Sequence, residues 1–309
     1  MPFISHNNHQ AYYEISGPSE GPVFIMVNGL TQYSSLWKPY VTALAQAGFR
    51  VATFDLLGQG VSDKPAFFIS QDDQVAIIHE LVETLGQGEV YLAGISFGGV
   101  IALRYAIAHP DKLTGLVAMS TFAELSPQLL LLGTALRNGL VLGGISYLQD
   151  LLLPMNLSNE WLGAQMDNLE AIKRPGWLAN DVYALQNLME SFMDFKPLTP
   201  DLPRITVPTL ILNGEFDFLT PRALHETLRL GIPDSALVII PHAYHAFTLE
   251  KPTLTASLMS RFAERVRNGL FTGGRSIWIA SETDEGELLP FPAGFDHLRA
   301  VPAPPESLT

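Results

Sequence analysis

An α/β fold is predicted for this chain: a mostly parallel central sheet flanked by helices, with a helical cap inserted into it. Two patterns carry the prediction. Short continuous apolar runs alternate with segments of helical spacing, as expected of parallel strands buried on both faces and joined by crossover helices. The alternation stops near Thr121 and resumes near Pro208, and residues 124 to about 200 give several helical patterns and no convincing strand. The 309 residues exceed the usual single-domain size but suit one large domain with an insertion.

In chain order, AYYEIS (11–16) and VFIMVNG (23–29) read as strands separated by the turn-rich GPSEGP. SSLWKPYVTALAQAG then has helical spacing, with Leu36, Tyr40, Leu44 and Ala47 on one face and Ser34 or Ser35 placed to cap it. RVATFD (50–55) is a buried strand, and SQDDQVAIIHELVETLG is a helix with a polar first turn and Gly86 near its end. EVYLAGIS is the next strand, GGVIALRYAIAHP its helix and LTGLVAMS the strand after. Residues 124–200 give helical patterns, with Pro154, Pro175, Pro197 and Pro200 as breakers. The rhythm returns with the strand PTLILNGE, the helix PRALHETLRLG, the strand SALVIIP and the helix KPTLTASLMSRFAERVRN. Residues 1–123 and 201–269 are thus assigned to the core, 124–200 to the cap, and 270–309 to a partly ordered C-terminal extension. Within that extension, SIWIA and HLRAV either pair as a hairpin on the core or belong to a loose tail.

Composition narrows the function. With 47% hydrophobic and 16% charged residues, the chain can bury a sizeable core. A net charge of −13 argues against nucleic acid or an anionic membrane as partner, and mildly against an acidic carrier protein. The absence of cysteine excludes disulfides, thiolate catalysis and Cys-ligated zinc. The N-terminus lacks a basic region and an apolar run of signal-peptide length. The most apolar stretch, LLLLGTALRNGLVLGGISYLQDLLLP, is interrupted by Arg137, Asn138 and Asp150. It falls short of the about 20 consecutive apolar residues of a spanning helix. No stable membrane insertion is expected, and a cytoplasmic protein is the default; oligomeric state is left open.

Gly94-Ile95-Ser96-Phe97-Gly98 matches G-x-S-x-G directly between a strand and a helix. A serine on such a turn sits in a strained backbone, and side chains two residues away on either side would collide. In this setting the motif points to a nucleophile rather than to close packing. A serine hydroxyl needs a base, and the base needs an orienting acid. In this topology they follow in the order Ser, Asp or Glu, His. LILNGEFDFLTP offers Glu215 and Asp217, and Asp217, deeper in the loop, is the assigned acid. Glu215 is read as a solvated or loop-bonding carboxylate and Glu124 as an understudy. IIPHAYHAFTLEKP offers His242 and His245; His245 is the assigned base and His242 a surface or supporting residue. No third ligand cluster accompanies these histidines, so no metal is expected, and the chemistry requires no cofactor. His79 and His225 lie in helices and are read as structural. Two backbone N–H groups must hold the developing oxyanion: Phe97 supplies one and Leu30, after Asn28 and Gly29, the other.

With Ser96, Asp217, His245 and the NGL loop in place, residues 10 to 268 resemble the α/β-hydrolase superfamily. DLLGQGVSDKP looks like its D-x-x-G-x-G-x-S loop through Asp55, Gly58, Gly60 and Ser62. HAFTLEKP looks like its histidine loop, and TVPTLILNGEFD (206–217) its acid-bearing strand. Where that superfamily's oxyanion loop usually begins His-Gly, Asn28 precedes Gly29 here, so the bonds bracing the loop must differ. The Asn-Gly form, with FFISQDDQVAIIHELVE, resembles the bacterial 3-hydroxyacyl acyltransferases, whereas GISFGG and DLLGQGVSD look like ordinary hydrolases.

The expected activity is hydrolysis of carboxylic esters or thioesters with an apolar acyl chain, through an acyl-enzyme. The leucine-rich cap favours an apolar small-molecule substrate, with Phe97 and Trp37 lining the pocket floor. The alternatives are an acyltransferase using 3-hydroxyacyl donors on a carrier or coenzyme A, and a non-catalytic binder on the same fold.

Overall fold

The computed structural model describes residues 2–86, 88–283 and 286–291. The chain opens with a hairpin, β1 (Phe3–His6) and β2 (His9–Ser16), paired antiparallel with His6 opposite His9. The two residues between them, Asn7 and Asn8, both have positive φ (47° and 65°), the requirement of a tight two-residue turn. β1 is too short for its period to show in the sequence, where HNNH between alternating residues is its one signal.

Six parallel strands form the centre. They are β3 (Val23–Val27), β4 (Arg50–Phe54), β5 (Val90–Ile95), β6 (Gly115–Met119), β7 (Thr209–Gly214) and β8 (Ser235–Ile240). All residues of β3 and β5 to β8 are buried, which is why these strands read as unbroken apolar runs. Two further strands follow: β9 (Ser276–Ala280), parallel to β8, and β10 (Leu288–Pro290), antiparallel to β9. The ten-stranded order is β1-β2-β4-β3-β5-β6-β7-β8-β9-β10. Chain order reverses on either side of β3, so the carboxyl ends of β3 and β5 flank a switch point, where open α/β sheets bind ligands. SIWIA thus forms β9, hydrogen-bonded to β8 on one side and to Leu288–Pro290 on the other; HLRAV lies outside the described residues.

The connecting helices cover both faces. α1 (Lys38–Gln46) packs on one, its Tyr40 and Leu44 buried against Phe24 and Met26. α2 (Gln71–Leu85) and α3 (Phe97–Ala108) cover the other. The polar first turn of α2 is a capping box: the Ser70 hydroxyl accepts from Asp73 N at 3.0 Å, and Ser70 N donates to Asp73 Oδ2 at 3.0 Å. Neither Ser34 nor Ser35 caps α1. A 3₁₀ turn over Ser34–Trp37 intervenes, and Ser34 N donates to Asp55 Oδ1 instead.

Between β6 and β7 the chain is helical: α4 (Pro127–Asn156), α5 (Asn159–Gln165), α6 (Leu169–Ala179) and α7 (Val182–Glu190). Ser126, Ser158 and Asp181 cap α4, α5 and α7 with side-chain oxygens. These caps set the boundaries. Pro154 and Pro175 lie inside α4 and α6 and end neither, each forfeiting a hydrogen bond without stopping the helix. The real break in α4 is Gly144, with φ 71° and ψ −170°, a conformation essentially restricted to glycine. α4 has the length and hydropathy of a membrane-crossing helix. The break divides it, however, and residues of both halves line a cavity. The core then closes with α8 (Arg222–Gly231), the short α9 (Phe247–Glu250) and α10 (Pro252–Arg267), which packs beside α1.

Candidate active site

Ser96 is the single residue between β5 and α3, with φ 54° and ψ −118°. A side chain rarely adopts this region, so the surroundings must hold it there. They do so with glycine. A Cβ on Gly94 would lie 2.4 Å from Gly98 O, and one on Gly98 would lie 2.4 Å from Asn28 O and 2.5 Å from Val27 O. Backbone occupies both spaces. Ser96 N donates to Met119 O at 2.9 Å, and its own carbonyl accepts from Thr121 Oγ1 at 2.8 Å.

Asp217 follows β7, and His245 lies in the loop between β8 and α9. The His245 Nδ1 is 3.0 Å from both Asp217 oxygens. Close passage of the two loops requires Gly214, where a Cβ would meet Tyr244 O at 2.3 Å. Thr220 braces the pair: its N–H donates to Asp217 Oδ1 at 2.8 Å and its hydroxyl to Oδ2 at 2.7 Å. Burial pushes the Asp217 carboxyl up, but the charge and hydrogen bond of His245, with help from His225 and Thr220, hold it below the usual carboxylate range. A carboxylate at this distance from Nδ1 accepts the hydrogen bond of the tautomer that carries its proton on that nitrogen.

Ser96 and His245 line one cavity of about 280 Å³, together with Leu30 and Phe97. Its walls are apolar, with Leu129, Leu132, Leu136, Leu148, Leu152 and Phe192 among them, most from α4. The two cations on its wall are engaged. Arg137 pairs with Glu190, and Lys173 with Asp150 at 2.6 Å and Glu170 at 3.0 Å.

Trp37 is not on this wall. Its indole is buried under the NGL loop, where Nε1 donates to Asn28 Oδ1 at 2.6 Å. The Asn28 amide in turn donates to Phe54 O at 2.9 Å and to Asp55 Oδ1 at 3.2 Å. An aromatic at helical spacing announces burial but not its hydrogen-bond partner, so the assignment to the pocket floor is corrected to a brace. Two glutamines continue the brace. Gln32 Oε1 accepts from Gly29 N at 2.9 Å, and Gln59 Nε2 donates to Gly29 O at 3.1 Å. These, with Thr220, were missed from the sequence. The spacing Asp217-x-x-Thr220, a turn signal, was the one available hint.

The remaining candidates lie elsewhere. Glu215 Oε2 accepts from His242 N at 2.9 Å, so it binds its neighbouring loop, and the His242 ring is exposed 3.3 Å from Glu282. Glu124 is exposed, and His79 stacks on His109. Among the described residues no group of three or more His, Cys, Asp or Glu side chains is placed to hold a metal.

A serine-bearing turn at the switch point of a mostly parallel sheet, sharing a cavity with the histidine of a histidine–aspartate pair, is the layout of an α/β hydrolase. Residues 22–252 match the family model described as alpha/beta hydrolase fold. The chain belongs to that family. It is 27% identical over 276 residues to the protein provisionally named carbamate hydrolase RutD of Stutzerimonas stutzeri, covering 82% of this chain and 97% of that one. MGS-M2, an α/β hydrolase enzyme from a Medee basin deep-sea metagenome library, superposes with a TM-score of 0.77 at 26% identity, over 85% of this chain and 97% of its own. The enol-lactonase of Burkholderia xenovorans LB400 shares the fold at a TM-score of 0.77 and 23% identity, over 85% and 100% of the two chains.

Proposed function

We propose that this α/β-hydrolase enzyme cleaves carboxylic esters or thioesters with an apolar acyl chain, using Ser96 as nucleophile, His245 as base and Asp217 as its orienting acid. The observation that carries the reading is one cavity that joins Ser96 and His245 to leucine-lined walls. In the first step His245 Nε2 takes the Ser96 proton as Oγ attacks the carbonyl carbon. The amides of Leu30 and Phe97 hold the oxyanion, each donor worth about 3 kcal/mol. The imidazolium, steadied by Asp217, gives its proton to the departing alcohol or thiol, leaving an acyl-serine. Water, deprotonated by the same imidazole, then attacks the acyl-serine, and Ser96 recovers its proton as the acid departs. The helical segment between β6 and β7 acts as a cap that excludes bulk water from this exchange.

The volume of about 280 Å³ sits at the small end of ligand pockets, which suits short and medium chains. Nitrophenyl butyrate and octanoate should be turned over faster than palmitate, and Ser96→Ala should abolish all three activities. Equal slow turnover by wild type and Ser96→Ala would refute the reading. Transfer to an anionic carrier or coenzyme A is disfavoured because Arg137 and Lys173 are already neutralised. Offered a 3-hydroxyacyl thioester, the enzyme should release free acid, not an ester-linked dimer.

A further inference from the structure

Three loops must converge for the proposed chemistry, and all three are fastened to one node that touches no substrate. The node is Ser120, Thr121 and His225, all buried and none on the cavity wall. Ser120 and Thr121 follow β6. Ser120 has φ 41°, a left-handed conformation, and its N–H donates to Leu212 O at 3.0 Å. Its hydroxyl donates to the carbonyl of His245 at 2.8 Å, and the Thr121 hydroxyl donates to the carbonyl of Ser96 at 2.8 Å. The Thr121 amide donates to His225 Nε2 at 3.0 Å. The other ring nitrogen of His225 lies 3.4 Å from Pro221 O, next to the Thr220 that holds Asp217. Thus one dipeptide grips the nucleophile and the base by their carbonyls, and His225 ties that dipeptide to the loop carrying the acid.

Resting on the hydrolase reading above, we infer that Thr121 and His225 are positioning residues that set the Ser96–His245 geometry. The bond from the Thr121 amide requires an unprotonated Nε2, hence the neutral tautomer with the proton on Nδ1. Burial favours that form and holds the His225 pKa down to about 4; Asp217 and Glu226 oppose the shift while His245 adds to it. The roles divide cleanly: Thr121 Oγ1 fixes the Ser96 turn, and His225 fixes Thr121. Loss of either should loosen the approach of Ser96 to the imidazole without altering the substrate wall.

The test compares Thr121→Val, which keeps shape and amide but loses the hydroxyl, with His225→Leu and His225→Gln. The Gln carbonyl can accept where Nε2 did. Because a small misplacement of reacting groups is costly, Thr121→Val and His225→Leu should each lower kcat on nitrophenyl octanoate about tenfold or more. KM should stay within about twofold, since neither residue meets the substrate, and His225→Gln should recover most of the loss. Circular dichroism and the thermal midpoint establish that each variant is folded. Folded Thr121→Val with wild-type kcat, or a loss that appears only in KM, would overturn the inference. If Ser96→Ala retains activity, the hydrolase reading itself fails; if only the node variants retain it, the node alone does.

Discussion

Asn28 lies off the cavity wall and braces one of the loops that line it. In its place before Gly29 it closes a buried chain, Trp37 to Asn28 to Asp55, beneath the loop that carries Leu30. Trp37→Phe would leave Asn28 Oδ1 buried without a donor, at a cost of about 1 to 3 kcal/mol. Urea denaturation should show that loss together with a lower kcat, and an unchanged midpoint would remove Trp37 from the brace. Titration gives a second handle. His225 has its pKa depressed from 6.5 to about 4, so protons bind the unfolded chain more readily than the folded one. Its contribution is complete above pH 6.5 and is lost as pH falls toward 4, a difference of about 3 kcal/mol. The Asp217 carboxyl, held below its ordinary range, adds a loss at still lower pH, as the folded-state group protonates. Stability measured from pH 7 to 4 should therefore fall less steeply in His225→Gln than in wild type. The Ser96 turn and the Asp217–His245 pairing were legible in the sequence because backbone geometry forces their neighbours: glycines where carbonyls pass within 2.4 Å of a would-be Cβ, and a turn after each strand. Trp37 and His225 were not, since spacing reveals that a ring is buried but not what its nitrogen meets.

At the scale of the element, α4 connects the apolar sequence to the cavity. Leu129, Leu132 and Leu136 come from its first half and Leu148 and Leu152 from its second, and Gly144 turns one half against the other. No atom crowds a Cβ at Gly144, so replacement there would cost conformation and not space. Gly144→Ala should destabilise by about 1 to 3 kcal/mol. It should also shift the chain-length preference by moving the two halves, read as a changed ratio of kcat/KM for octanoate over butyrate. An unaltered ratio with an unaltered thermal midpoint would show that the bend is not enforced by glycine. The sequence revealed helices here but not where they stop. Proline alone suggested breaks at Pro154 and Pro175, whereas the boundaries follow caps at Ser126, Ser158 and Asp181. Cap signals are short, and in a leucine-rich stretch they are easily overridden by hydrophobic pattern. β1 was missed for the opposite reason: four residues carry too little periodicity, and only the Asn-Asn turn identifies the hairpin.

Across the whole molecule, topology gathers what is remote in sequence. The strand order reverses about β3, and the loops leaving β3, β5, β7 and β8 meet at one end of the sheet. That brings residues 30, 96, 217 and 245 to a common site. The alternation of strands and helices made this arrangement readable in advance, because parallel strands buried on both faces leave an unmistakable pattern. The sheet's far edge was less legible, since SIWIA joined β8 and then met Leu288–Pro290, a partner chosen by proximity and not by any sequence pattern. The claim on which all else depends is that Ser96 is an activated nucleophile. A fluorophosphonate probe measures this directly, with the adduct located by peptide mass spectrometry. One adduct per chain is expected, on Ser96, formed rapidly in wild type and at least about a hundredfold more slowly in His245→Ala. Labelling elsewhere, or at Ser96 with equal rates in wild type and His245→Ala, would contradict it.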